Sequence, residues 1–117
     1  MREIVFYRME SGRCPIEEFL DSLTGKQAQK IAWVMQLVEE LEIVPTRYFK
    51  KLHGTDGLWE IRVSSGSEIY RFLGFFDRSN MIVLNHAFQK KSQKTSKQEI
   101  NIAETRRKDY LNRRLKK

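Results

Sequence analysis

Residues 58–96, LWEIRVSSGSEIYRFLGFFDRSNMIVLNHAFQKKSQKTS, decide the fold. Two β-prone segments each deliver an arginine, in Leu58-Trp59-Glu60-Ile61-Arg62 and Tyr70-Arg71-Phe72, and a third ends in Phe88-Gln89-Lys90-Lys91-Ser92-Gln93-Lys94. Strand side chains alternate sides, so a basic residue inside an apolar strand is either a paired core charge or part of a surface that meets an anion. Repetition on neighbouring strands favours the anion-facing surface, and a phosphodiester is the obvious partner. The turn Ser65-Gly66-Ser67 makes hairpin pairing natural, and the short links predict an antiparallel meander of about Leu58 to Ser64, Glu68 to Phe76 and Met81 to Gln89.

Working outward, Glu3 to Tyr7 is β-prone, and Pro15 with Glu17 and Glu18 marks the start of a first helix ending near Leu23. Thr24 caps a second helix through about Glu42, where Ala28, Ile31, Met35, Val38 and Leu41 recur as an apolar stripe. Pro45 closes it, and Tyr48 to Gly54 reads as a basic loop. Ser96 and Glu99 form a capping box for a C-terminal helix with Ile100, Ala103, Arg107 and Tyr110 along one side. The expected architecture is α+β: a small antiparallel-rich sheet, an N-terminal strand plus the three-strand meander, covered by an N-terminal helical hairpin, with a C-terminal helix.

The 117 residues suit one domain spanning 1–117. The net charge of +7 is unevenly spread: residues 86–117 hold eleven Lys or Arg against Glu99, Glu104 and Asp109, which leaves the rest of the chain slightly acidic. Such concentration is an electrostatic footprint for nucleic acid or an acidic protein, while a solvated lysine-rich tail is the plainer reading of Arg113 to Lys117. A lone Cys14 excludes an internal disulfide, and the absence of Cys/His ligand spacing speaks against zinc. Early charge at Arg2 and Glu3 argues against a signal peptide, and no apolar run approaches membrane-span length, so a soluble, cytoplasmic protein is expected. The six glycines form neither GxGxxG nor GxxxxGK, so no nucleotide cofactor is expected, and no carboxylate cluster suggests Mg²⁺.

The element order with LWEIR, YRF and FQKKSQKT resembles the RelE superfamily of bacterial toxins, and within it the HigB-type, phage-associated branch. Gly12-Arg13-Cys14-Pro15, Lys51-Leu52, Tyr70-Arg71 and Phe88 through Thr95 carry the likeness across almost the whole chain. Ser92, Ser96 and Ala87 depart from that branch, which usually has Thr, Pro and often Gly there. The resemblance implies a type II toxin that enters the ribosome and cleaves mRNA, held inactive by a HigA-like helix-turn-helix antitoxin. A gyrase-inhibiting toxin of the same fold and a non-catalytic nucleic-acid-binding module are the alternatives.

RNA is cut without metal when a 2′-hydroxyl attacks the adjacent phosphate, provided that cations stabilise the developing charge and nearby groups relay protons. Arg71 is assigned to the scissile phosphate and Arg62 to its support, because a guanidinium stays charged and binds two phosphate oxygens. Replacing either with Ala is expected to abolish toxicity and leave folding intact. Candidates for proton transfer are Lys90, Lys91, Lys94, His53 and His86, with Lys90, Lys94 and His53 preferred. His86, inside a strand, reads as a hydrogen-bonded structural histidine. Lys50, Lys51, Lys91, Phe88, Arg106 and Arg107 are candidates for contact with RNA or the ribosome, although Phe88, Tyr70 and Trp59 also read as core aromatics.

Overall fold

The computed structural model describes residues 1–89 and 94–115. Five strands, β1 (Glu3–Phe6), β2 (Phe49–Lys51), β3 (Leu58–Ser65), β4 (Glu68–Asp77) and β5 (Met81–Gln89), form one mixed sheet in the order β1-β5-β4-β3-β2. Only β1 runs parallel to its neighbour, aligning Glu3 with Met81 on β5. The expected meander is present, with Arg62 directly opposite Arg71, and a two-residue turn at Gly66 and Ser67. Gly66 has φ 62°, the left-handed conformation that a tight hairpin asks of its first central residue. The edge strand β2 lies inside the segment expected to be a loop. Its Lys50 and Lys51 lower its apolar pattern, but Phe49 pairs with Ile61 and buries against the core.

Helices α1 (Pro15–Asp21) and α2 (Gly25–Glu40) cover one face of the sheet. Thr24 caps α2 in a full capping box with Gln27, as two orphan amides at a helix start require. Ile31, Val34, Met35 and Val38 bury as its stripe against Ile61, Phe72, Ile82 and Leu84. The helix stops at Glu40, well before Pro45, and Leu41 at its end is exposed.

The opposite face receives α3 (Lys97–Leu115), and the two cores lie on either side of the sheet. Only Ala103 of α3 is fully buried, with Ile100, Tyr110 and Leu111 packed around it against Leu58, Leu73, Phe75 and Val83. So little apolar surface leaves docking of this helix to polar contacts. Asn85 Nδ2 donates to the Ala103 carbonyl at 2.9 Å, Tyr110 donates to Asp77 at 2.6 Å and Tyr7 donates to Asp109 at 2.5 Å. Register slips between Leu73 and Gly74, where Leu73 faces His86 but Gly74 faces Leu84. This bulge leaves Asn85 as the extra residue and turns both Asn85 and His86 toward α3, a local re-aiming typical of bulges.

The helix end expected to be a reciprocal capping box is only half of one. The Glu99 amide approaches Ser96 Oγ at 3.5 Å, but the Glu99 carboxylate meets His86 Nε2 of β5 at 2.9 Å.

Candidate active site

The face beneath α3 collects the charged side chains of β3 and β4. Alternation along β3 puts Glu60 and Arg62 on that face while Trp59, Ile61 and Val63 enter the other core. On β4 it puts Arg71 there while Tyr70 and Phe72 pack under the helical hairpin. Glu60 is the hub: Arg71 Nη1 donates to its Oε1 at 2.8 Å, Arg62 Nη2 lies 3.5 Å from the same oxygen, and Thr95 Oγ1 donates to Oε2 at 2.5 Å. Glu60 is 1% exposed and Arg71 0%, whereas the Arg62 side chain keeps 25% of its surface. Arg71 is therefore a paired core charge, and Arg62 is the arginine that reaches solvent.

Above this pair opens a cleft of about 650 Å³. Its walls are Lys50 of β2, the turn from Leu52 to Asp56, and Lys94 to Glu104 at the start of α3, with Glu60 and Arg71 below. The turn is held by Thr55, whose hydroxyl donates to the Leu52 carbonyl at 2.8 Å and accepts from the Leu58 amide at 3.2 Å. Gly54 (φ 73°) and Gly57 (φ 97°) supply the left-handed backbone that so tight a path needs. Exposed His53 sits on this turn, and exposed Lys50, Lys94 and Lys97 ring the opening. Among the described residues, the buried Oε1 of Glu104 has no hydrogen-bond partner, which marks a carboxylate oxygen held inside without a donor.

Of the residues expected to form the site, the structure thus brings Arg71, His53, Lys50 and Lys94 into one cleft, with Arg62 beside it. Lys90 and Lys91 lie outside the described residues. Lys51 points to the other side of its strand, beside Arg2, Trp59 and Phe76. Arg107 does not line the cleft: its Nη1 lies 3.5 Å from Asp56, and its guanidinium sits 5.6 Å above the Phe75 ring. Arg106 works on the far side of α3, donating to the Asn85 carbonyl at 2.8 Å. Phe88 is buried and stacked on His86 at 5.3 Å, so it belongs to the core. Trp59 stacks on Phe49 at 4.7 Å, and Tyr70 is likewise buried.

His86 has the structural role its strand position suggests. Arg106 Nη1 lies 3.4 Å from Nδ1 and Glu99 accepts at Nε2, a pair of contacts that suits the neutral Nε2–H tautomer. Burial holds its pKa below 6.5 and Arg106 adds to this, against an opposing pull from Glu99. Sequence reasoning missed Glu60, Thr95, Lys97 and Glu104. Glu60 had a signal, because it stands two residues from Arg62 and so shares its face; Lys97 and Glu104 needed the placement of α3.

A family model described as phage-derived protein Gp49-like (DUF891) matches residues 18–108. The chain belongs to this family, which is RelE/toxin-like. A comparison with curated proteins gives no match. No helix among the described residues is long and apolar enough to cross a membrane.

Proposed function

We propose that the protein is a HigB-type toxin of a type II toxin–antitoxin system, a ribosome-dependent endonuclease that cleaves mRNA and stops translation. The observation that carries this reading is the convergence of Lys50, His53, Arg71, Lys94 and Lys97, from three separate stretches of the chain, on one cleft in a RelE/toxin-like domain. Scattered surface cations serve solubility; cations gathered around a concave site with a histidine suit phosphodiester chemistry.

In this reading a phosphate of the mRNA enters the cleft and is met by the exposed lysines, with Arg62 and Arg71 strengthening the local field. The 2′-hydroxyl oxygen attacks the phosphorus and the bond to the 5′-oxygen breaks, leaving a 2′,3′-cyclic phosphate and a 5′-hydroxyl. Cations compensate the charge that builds on the non-bridging oxygens. Glu104 accepts the proton of the attacking hydroxyl, and His53 or Lys94 donates one to the leaving oxygen. The partners are the ribosome, its mRNA and a HigA-like antitoxin that restrains the toxin in the cytoplasm, and the chemistry asks for no cofactor.

The burial of Arg71 favours one other reading, a nucleic-acid-binding module without turnover. Growth and mRNA 5′-end mapping after induction separate the two. The wild-type chain is expected to arrest growth with new 5′ ends inside coding regions, and the His53→Ala and Lys50→Ala chains, altered only at exposed positions, to lose most of those ends. Arrest without new ends, or ends unchanged in both variants, overturns the assignment.

A further inference from the structure

A second hollow, of about 290 Å³, opens between α2 and the β2 edge, and Arg62 lines it together with Lys30, Trp33, Arg47 and Tyr48. We propose that this hollow is a nucleobase-stacking subsite for single-stranded RNA, with Trp33 as the stacking platform. The proposal rests on the reading of the neighbouring cleft as an RNA site and assigns where a base beyond that cleft is held.

Trp33 stands 52% exposed on a helix whose stripe, Ile31, Val34 and Val38, is already buried, so the core does not need it. A large exposed indole is the informative kind of surface residue. Its ring meets Tyr48 edge to face, with centroids 6.3 Å apart and planes at 88°. Arg47 covers Tyr48 at 4.8 Å, which leaves Trp33 as the ring available to a ligand. Three cations and two aromatic rings line the hollow, and no carboxylate does among the described residues. That combination of positive charge with an open π-face is how sequence-tolerant proteins hold single strands. Arg62 joins the two places: it faces Arg71 directly across the strands, contacts Glu60 beneath the cleft, and borders the Trp33 hollow. The cleft lies on the α3 face of the sheet and the hollow on the α2 side, so a strand that occupies both rounds the sheet edge at Tyr48 and Arg62 before a base reaches the indole.

The test uses the full chain, 5′-labelled octaadenylate with 2′-O-methyl sugars so that nothing is cut, and an abasic octamer of equal charge. Octaadenylate is expected to quench the wild-type tryptophan emission, an effect largely absent when the abasic strand is added to the wild type and when octaadenylate is added to Trp33→Phe. Trp33→Ala should weaken octaadenylate binding about tenfold while leaving the abasic strand's affinity unchanged. Equal octaadenylate affinity in Trp33→Ala and wild type overturns the subsite, whatever the cleavage assay shows. Quenching by poly-L-glutamate but not by octaadenylate also overturns it, and would give the hollow to an acidic polypeptide. Cleavage lost in His53→Ala with Trp33-dependent binding intact leaves both readings standing; wild-type chain that binds through Trp33 but never cleaves refutes the nuclease and keeps the subsite.

Discussion

Arg71 and Glu60 form an ion pair at 2.8 Å with neither side chain accessible to water, on the central strands of the sheet and at the base of the cleft. A charge removed from water is tolerated only with its partner in place, so each residue is a condition for the other.

Glu60→Ala should therefore destabilise the fold by about 3–5 kcal/mol, because it strands Arg71. Arg71→Ala should do the same by stranding Glu60, contrary to the expectation from sequence that this substitution spares folding. Arg62→Ala, at a partly exposed position, should cost under about 1 kcal/mol. Urea unfolding of the three variants checks the ranking, and equal losses would refute it.

His53 is exposed on a turn, so its loss should separate chemistry from stability. His53→Ala is expected to change stability by no more than about 0.5 kcal/mol. If His53 relays a proton, cleavage should fall about 10²-fold or more. Single-turnover cleavage on programmed ribosomes measures the second quantity.

The third prediction concerns pH. Burial keeps folded His86 below its ordinary pKa of 6.5, so the unfolded chain takes up the proton first as the medium acidifies. Stability contributed by neutral His86 is whole above pH 6.5 and declines as pH falls below it toward the lowered folded value. Asp109 and Glu18, also lowered, respond only at more acidic pH. His86→Gln keeps a donor for Glu99 but cannot titrate, and its unfolding midpoint should stay flat between pH 6.5 and 5 where the wild type's declines.

Gly74 tests the bulge. A Cβ there would lie 2.3 Å from the Val83 carbonyl oxygen, a backbone atom with no freedom to swing aside. Gly74→Ala should cost at least about 1–3 kcal/mol. Thermal denaturation would show it, and a shift of under a degree would mean that the bulge relaxes.

The three-strand meander and the helix starts were legible because the signals were local: alternation in Leu58 to Val63, the Thr24 cap, Pro15 at a helix start. Strand β2 was not, because Lys50 and Lys51 read as loop residues, and pairing with Ile61 and Trp59 is a tertiary fact. For the site, charge type was readable but burial was not. Whether an arginine on a strand meets water depends on what covers the sheet, and α3 does so with little apolar surface to announce it. His86 was readable as structural from its strand position, whereas the bulge that aims it at Glu99 came from a register slip that no local pattern encodes.

The parallel pairing of β1 with β5 joins Glu3 to Met81 across most of the chain, and α3, one wall of the cleft, follows later still. On a translating ribosome that adds about 5–20 residues per second, the first strand waits several seconds for its partner. The cationic cleft is assembled last, after both sheet edges and the helical hairpin have emerged. A nascent chain thus has no finished cleft until its last helix has emerged, a delay written into the topology itself.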